Sequence, residues 1–176
     1  STEVMLPEPV ASSYSGGCLE YTADAGVTWF SYTTYDLMFE EWCTTSWIFS
    51  DVVKNKGGYG YIVKAQAICE KTTSALTPRL TLYLFSAVPT CNLNDTEANT
   101  ALLHADLANY IGKIDFSALE DLGGDYETIV TLSTYGNLPL GFNCAADNTS
   151  LYGVLVTRDA MIGEIAGLDL TINLTV

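Results

Sequence analysis

The chain has few cationic side chains: seven Lys and Arg residues against 21 Asp and Glu residues give the 176-residue chain a formal net charge of −14. Such a chain repels phosphate backbones, because nucleic-acid affinity comes from cationic side chains that release condensed counterions. It also lacks an apolar run long enough to cross a membrane. The opening residues STEVMLPEPVASS do not have the basic and then apolar order of a signal peptide. We expect synthesis in the cytoplasm, without nucleic acid or membrane as a partner.

Residue types that carry catalysis are also scarce. The chain has one histidine, His104, and no paired C-x-x-C cysteines, G-x-x-x-x-G-K-[ST] loop or G-x-G-x-x-G loop. A nucleophilic triad needs a base beside its Ser or Cys, and a zinc site needs closely spaced Cys and His ligands. We therefore expect no enzyme activity, no cofactor and no metal. The cysteines should be reduced and mostly buried as small apolar residues; they are Cys18, Cys43, Cys69, Cys91 and Cys144.

Acidic pairs are the remaining candidates for chemistry. Paired carboxylates hydrolyse glycosides when they flank the scissile bond, but neighbouring residues on a strand point to opposite faces. Solvated turn charges are therefore the simpler interpretation. Weak calcium binding in residues 92–97 or 120–127 is an alternative, although neither stretch has EF-hand spacing. The acidic pairs are Glu40 with Glu41, Glu120 with Asp121, and Asp125 with Glu127.

Short alternating runs between glycines and prolines predict an all-β domain. Residues 80–85 alternate Leu with Thr, Tyr and Phe, and residues 168–174 place Leu or Ile at every second position. Such strands are typically half-buried in an antiparallel β-sandwich, and their spacing suits a Greek-key or jelly-roll arrangement. Residues 102–112 predict one short helix ending at Gly112. The best strand candidates are residues 59–69, 79–88, 126–134, 150–158 and 167–176.

Two segments precede these strands. Residues 1–17 contain Pro7, Pro9 and a Gly-Gly end, so we expect an extended N-terminal arm before a single domain spanning residues 18–176. Residues 29–49 hold eight aromatic residues, including all three tryptophans. These rings could form intrachain core, an apolar face against another subunit, or a platform on which sugar rings stack. Trp and Tyr are enriched at protein interfaces, and part of segment 18–47 is predicted to contribute either to the core or to a subunit contact.

Four stretches in order resemble a family of phage head decoration, or cement, proteins. They are residues 48–68, 80–90, 107–116 and 150–160. The resemblance implies a β-sandwich or jelly-roll domain that sits as a trimer on the outside of an HK97-type head, bound to the major capsid protein and without catalytic residues. The aromatic segment does not match a feature of that family.

The expected function is therefore structural: the chain would bind the outer capsid surface of a virion and bridge capsomers. A β-sandwich adhesin, a glycan-binding module of a phage tail, is the alternative. Candidate interface residues lie in the arm and the aromatic segment; they are Met5, Leu6, Pro7, Pro9, Trp29, Phe30, Tyr35, Phe39 and Trp42.

Overall fold

The computed structural model describes residues 12–15, 19–21, 46–69, 77, 79–91, 100–122, 126–130, 138–159 and 170–176. These ranges contain twelve strands and one short 3-10 helix, so the all-β prediction is confirmed. The strands are β1 Ser12–Ser15, β2 Leu19–Tyr21, β3 Trp47–Phe49, β4 Tyr59–Ile62, β5 Lys64–Cys69, β6 Leu80–Phe85, β7 Tyr110–Asp115, β8 Glu120–Asp121, β9 Tyr126–Val130, β10 Leu140–Asn143, β11 Leu151–Thr157 and β12 Leu170–Thr175.

Two five-stranded sheets and one two-stranded ribbon make up this fold. Sheet A has the spatial order β1, β12, β5, β9, β8 and is antiparallel throughout. Sheet B has the order β2, β11, β6, β7, and β3 pairs with β11 as well. One pairing departs from the antiparallel prediction, since β2 runs parallel to β11. The ribbon consists of β4 and β10.

The strands β2 and β3 share one edge of β11. On its other edge β11 pairs with β6 from Tyr152 to Thr157. Both short strands therefore occupy the remaining edge, with Tyr21 opposite Thr157 and Trp47 opposite Gly153. β2 ends at Tyr21 and β3 begins at Trp47 along this same edge of β11.

The main core lies between the two sheets, which gives a sandwich-like arrangement. Ala65, Ala67, Ile172 and Leu174 contribute from sheet A, and the side chains of sheet B meet them in one cluster. Inward-facing residues on β6 and β11 alternate as period-2 strands require. The fully buried residues from sheet B in this cluster include Leu80, Leu82, Leu84, Ile114, Leu151 and Leu155.

Sheet B is buried on its other face too, which differs from the half-buried strands that alternation predicted. Phe85, Val154 and Val156 form a second cluster with Cys91, and Tyr110 packs against it. The covering segments are residues 86–91 and 100–109. A polar residue on this second buried face needs a hydrogen-bond partner. Thr81 has one, since its Oγ1 donates to Asp115 Oδ1 at 2.8 Å.

Asp106 holds part of this cover in place. Its buried carboxylate accepts hydrogen bonds from the backbone N–H and hydroxyl of Thr90, at 2.7 and 2.8 Å, and from the Cys91 N–H at 3.2 Å. Buried charged groups are stable only when such partners replace water. The side chain therefore ties residues 90–91 to the helical turn.

The predicted helix over residues 102–112 is shorter than expected. A single 3-10 turn spans His104–Asp106. Tyr110 already pairs with Phe85, and Gly112 pairs with Leu84 in β7 rather than ending a helix. The ladder with β6 decides the conformation from residue 110 onward. Among the described residues, no helix is long and apolar enough to cross a membrane.

Candidate functional site

The predicted interface residues lie outside the described ranges; they are Met5, Leu6, Pro7, Pro9, Trp29, Phe30, Tyr35, Phe39 and Trp42. Of the predicted arm, residues 1–17, the described residues 12–15 form β1 and pair with β12 in sheet A. The end of the aromatic segment is described, and Trp47 and Phe49 are buried in the main core. The intrachain-core interpretation is therefore correct for these two rings.

Of the residues considered for catalysis, the described ranges bring Glu120 opposite Glu127, where β8 pairs with β9. His104 is exposed on the 3-10 turn, and Glu120 and Asp121 are exposed on the short strand β8. The described part of the chain contains no group of three Cys, His, Asp or Glu side chains able to hold a metal ion. Glu40, Glu41, Asp125 and residues 92–97 lie outside the described ranges.

Two cysteines follow the prediction of reduced, buried thiols. Cys91 lies in the second cluster and Cys144 in the main core, and both are thiols rather than disulfide sulfurs. Burial raises the pKa of the Cys144 thiol, which keeps it protonated. These thiols are packing groups.

A cleft of about 420 Å³ lies between the ribbon and one end of sheet B. The ribbon places Tyr59 and Tyr61 on one face of β4, because residues two apart on a strand point the same way. Their side chains are unusually open: Tyr59 is 79% exposed and Tyr61 62% exposed. The ribbon residues that line the cleft are Tyr59, Gly60, Tyr61, Gly141, Phe142 and Asn143.

Glycine at position 141 sets the position of one ring. Gly141 pairs with Tyr61 across the ribbon, and a Cβ on Gly141 would stand 3.3 Å from Tyr61 Cε1. The ring therefore lies over the backbone of β10, where a side chain would crowd it. On the opposite face of the ribbon, Gly60 leaves room for the ring of Phe142, whose Cζ would lie 3.0 Å from an added Cβ.

The far wall of the cleft is formed where β6 ends and β7 begins. It comprises Ser86, Ala108, Asn109, Tyr110 and Ile111. The backbone N–H of Ser86 donates to the Asn109 carbonyl at 2.8 Å, and the Ser86 hydroxyl lies 3.4 Å from Asn109 Oδ1. These bonds extend the ladder between β6 and β7 and fix the amide of Asn109 at the wall.

Tyr110 joins this wall to the second cluster. Its ring centroid lies 5.6 Å from that of Phe85 and 6.5 Å from that of Tyr83. Burial, with smaller effects from Tyr83 and Asp115, raises the pKa of Tyr110, so its hydroxyl stays neutral and can both donate and accept.

Among the described residues, those that line this cleft include no charged side chain. That is notable for a chain of net charge −14. The lining instead combines aromatic rings, amides and hydroxyls. Tyr59 and Tyr61 are not among the interface residues predicted from the sequence, which lie in the arm and in residues 29–49. The signal was present in the stretch GGYGY, where two tyrosines alternate with glycine at the start of a predicted strand.

Comparison of the chain with protein-family models, with curated proteins and with solved structures finds no match.

Proposed function

We propose that the chain is a structural decoration protein of a phage head, which binds the outside of the assembled shell and bridges capsomers. The observation that carries the proposal is that the stretches resembling that family are neighbours in the fold. Residues 48–68 include most of β3 together with β4 and β5, while residues 80–90 and 107–116 provide β6 and β7. Residues 150–160 provide β11.

Three of these four stretches pair directly within sheet B, and the fourth joins them through β3. The spatial order β3, β11, β6, β7 alternates between distant parts of the sequence. Resemblance due to β propensity alone would not require the stretches to share one sheet. Their assembly into one folding unit therefore supports a resemblance of the domain rather than of isolated strands.

Charge supports an outer rather than an inner position on the shell. A net charge of −14 disfavours contact with packaged DNA. The proposed partners are the major capsid protein and two further copies of the chain in a homotrimer, with a jelly-roll topology as in the resembling family. Several modest contacts made at once by a trimer would resist capsomer separation through their effective concentration.

Immunogold electron microscopy tests this proposal. An antibody raised against the chain is applied to purified particles of the phage that encodes it, with tailless heads and isolated tails as separate samples. We expect label over the facets of heads in both intact particles and tailless heads. Pre-adsorbing the antibody with the purified chain is the control and should remove the label.

Two other patterns would overturn the proposal. Label confined to tail tips would favour the adhesin alternative, which the exposed pair Tyr59 and Tyr61 makes chemically reasonable. Absence of the chain from purified particles, checked by mass spectrometry of the same preparation, would contradict both virion functions.

A further inference from the structure

The cleft beside the ribbon has the features of a binding site rather than of packing. Tyr59 and Tyr61 lie on one strand face, roughly 7 Å apart along the strand. Buried rings each remove roughly 150 to 250 Å² from water, and these two forgo most of that stabilisation. Glycine at position 141 instead leaves room for the Tyr61 ring beside the neighbouring strand.

The polar groups of the lining complement the rings. Asn143 stands opposite Tyr59 on the ribbon, and Asn109 faces the cleft from the end of sheet B. Asn109 Oδ1 lies near the Ser86 hydroxyl, so the amide nitrogen Nδ2 is at the other end of the group. No described residue accepts a hydrogen bond from Nδ2.

The chemistry of this lining selects against most ligand classes. Phosphates, nucleotides and acidic peptides require cationic or helix-terminal partners, and cationic ligands are favoured by carboxylates; the lining offers neither. A wholly apolar ligand would leave the amides and hydroxyls without partners, which costs free energy. A neutral ligand with apolar faces and many hydroxyl groups fits both kinds of lining group.

We propose that this cleft binds a neutral carbohydrate, with Tyr59 and Tyr61 stacking on the C–H faces of consecutive sugar rings. Asn109 and Asn143 hydrogen-bond the sugar hydroxyls. Pockets of this size commonly combine an aromatic surface with a few polar groups that orient the ligand. The proposal concerns the isolated chain and does not depend on where the chain sits in a particle.

Glycan binding by the purified full chain tests the proposal. The probes are the neutral hexasaccharides of β-1,4-glucose, α-1,4-glucose and β-1,3-glucose, displayed with a wider panel of neutral glycans. A hexamer of galacturonate, which is anionic, and one of glucosamine, which is cationic, serve as charge comparators. Binding is detected by saturation-transfer NMR and its affinity measured by calorimetry.

We expect at least one neutral glycan to bind, and the affinity to fall about tenfold for each ring removed, in Tyr59→Ala and Tyr61→Ala. Tyr61→Phe should retain most of the affinity, since it keeps the ring. Leu122→Ala, at an exposed apolar residue outside the cleft, is the matched control and should change nothing. Because both tyrosines are exposed, thermal unfolding of these variants should match that of the parent chain.

Three results would overturn the proposal. They are no binding of any neutral glycan at millimolar concentration, equal affinity in the Tyr59→Ala/Tyr61→Ala double variant, or a preference for the charged hexamers. Head labelling and glycan binding are read out separately, so failure of one does not imply failure of the other.

Discussion

Arg79 and Asp159 form a bidentate ion pair that joins the start of β6 to the end of β11. Arg79 Nη2 lies 2.8 Å from Asp159 Oδ1 and Nε lies 3.0 Å from Oδ2, while the Arg79 backbone N–H donates to Oδ2 at 2.8 Å. The Arg158 N–H donates to the Arg79 carbonyl beside it at 2.8 Å. Hydrogen bonds from the Arg79 side chain are the main reason why the pKa of Asp159 lies below its ordinary value.

Replacing Arg79 with Met should lower the free energy of unfolding by less than about 1 kcal/mol at pH 7, because both side chains are substantially exposed and screened by solvent. A depressed pKa contributes stability above the unfolded-state pKa of about 3.9 and loses it as pH falls through the folded-state value. The difference between parent and variant should therefore shrink as pH falls from about 5 to 3 in urea titrations. Lys54→Met, at an exposed lysine elsewhere, is the charge-matched control. A difference that does not shrink at all as pH falls would assign the effect to packing of the Arg79 stem.

Gly153 is predicted to be a position where even one methyl group destabilises the core. A Cβ there would stand 2.9 Å from Leu82 Cδ1 and 3.1 Å from Phe49 Cε2, and these side chains are fully buried. Gly153→Ala should cost roughly 1 to 3 kcal/mol through overpacking, measured by chemical denaturation. Gly141→Ala is the matched control, because the crowded Tyr61 ring is exposed and can move. Equal effects in the two variants would contradict this explanation.

Thr157 offers a stabilising substitution. Its hydroxyl is buried and, among the described side chains, lacks a hydrogen-bond partner, and an unsatisfied buried polar group costs about 1 to 3 kcal/mol. Thr157→Val should therefore raise the melting temperature. Thr81→Val should lower it, because the equally buried Thr81 hydroxyl donates to Asp115. The prediction fails if both variants change stability in the same direction.

The role of residues 22–45, which include most of the aromatic segment, can be tested by replacing them. Tyr21 and Trp47 lie on either side of these residues, on one edge of β11 opposite Thr157 and Gly153, roughly 13 Å apart at about 3.3 Å per residue. A Gly-Ser linker of about eight residues has a root-mean-square span of roughly 16 Å and can replace residues 22–45. We expect the β circular dichroism to persist while the proposed trimer dissociates in sedimentation velocity.

The point variant Trp42→Ala should give the same pattern, with Leu122→Ala as the surface control. Loss of the β signal in either the linker variant or Trp42→Ala would instead assign the segment to the core.

Strand positions were predictable because the residues carry local signals. The predicted strands at residues 79–88 and 150–158 contain β6 and β11, and the run at residues 59–69 contains both β4 and β5. What the sequence did not indicate is the change of partner at Val63: β4 pairs with β10 in the ribbon, whereas β5 belongs to sheet A. Partner choice depends on residues far away in the chain and has no local signature.

The cover on sheet B and the cleft were missed for related reasons. Alternation on β6 showed one apolar face correctly, but Phe85 is buried by residues that follow it in a loop. The helical pattern around Leu107 was overridden because residues 110–115 pair with β6. The exposure of Tyr59 and Tyr61 depends on the ribbon packing Ile62 and Phe142 into the main core while the two tyrosines stay outside it.

The position of β12 in sheet A has a consequence for folding during synthesis. β12 lies between β1 and β5, with Ser12 paired to Leu174 and Lys64 to Thr175. Neither β1 nor β5 can complete its pairing with β12 until residue 175 has left the ribosome. Until then, one edge of each of these strands has unpaired backbone groups. Pairings between such distant residues slow folding, because the chain loses conformational entropy on loop closure before the stabilising contacts form. Sheet A is therefore expected to form after translation of this region, in milliseconds to seconds, and to be the stage at which a chaperone would protect exposed strand edges.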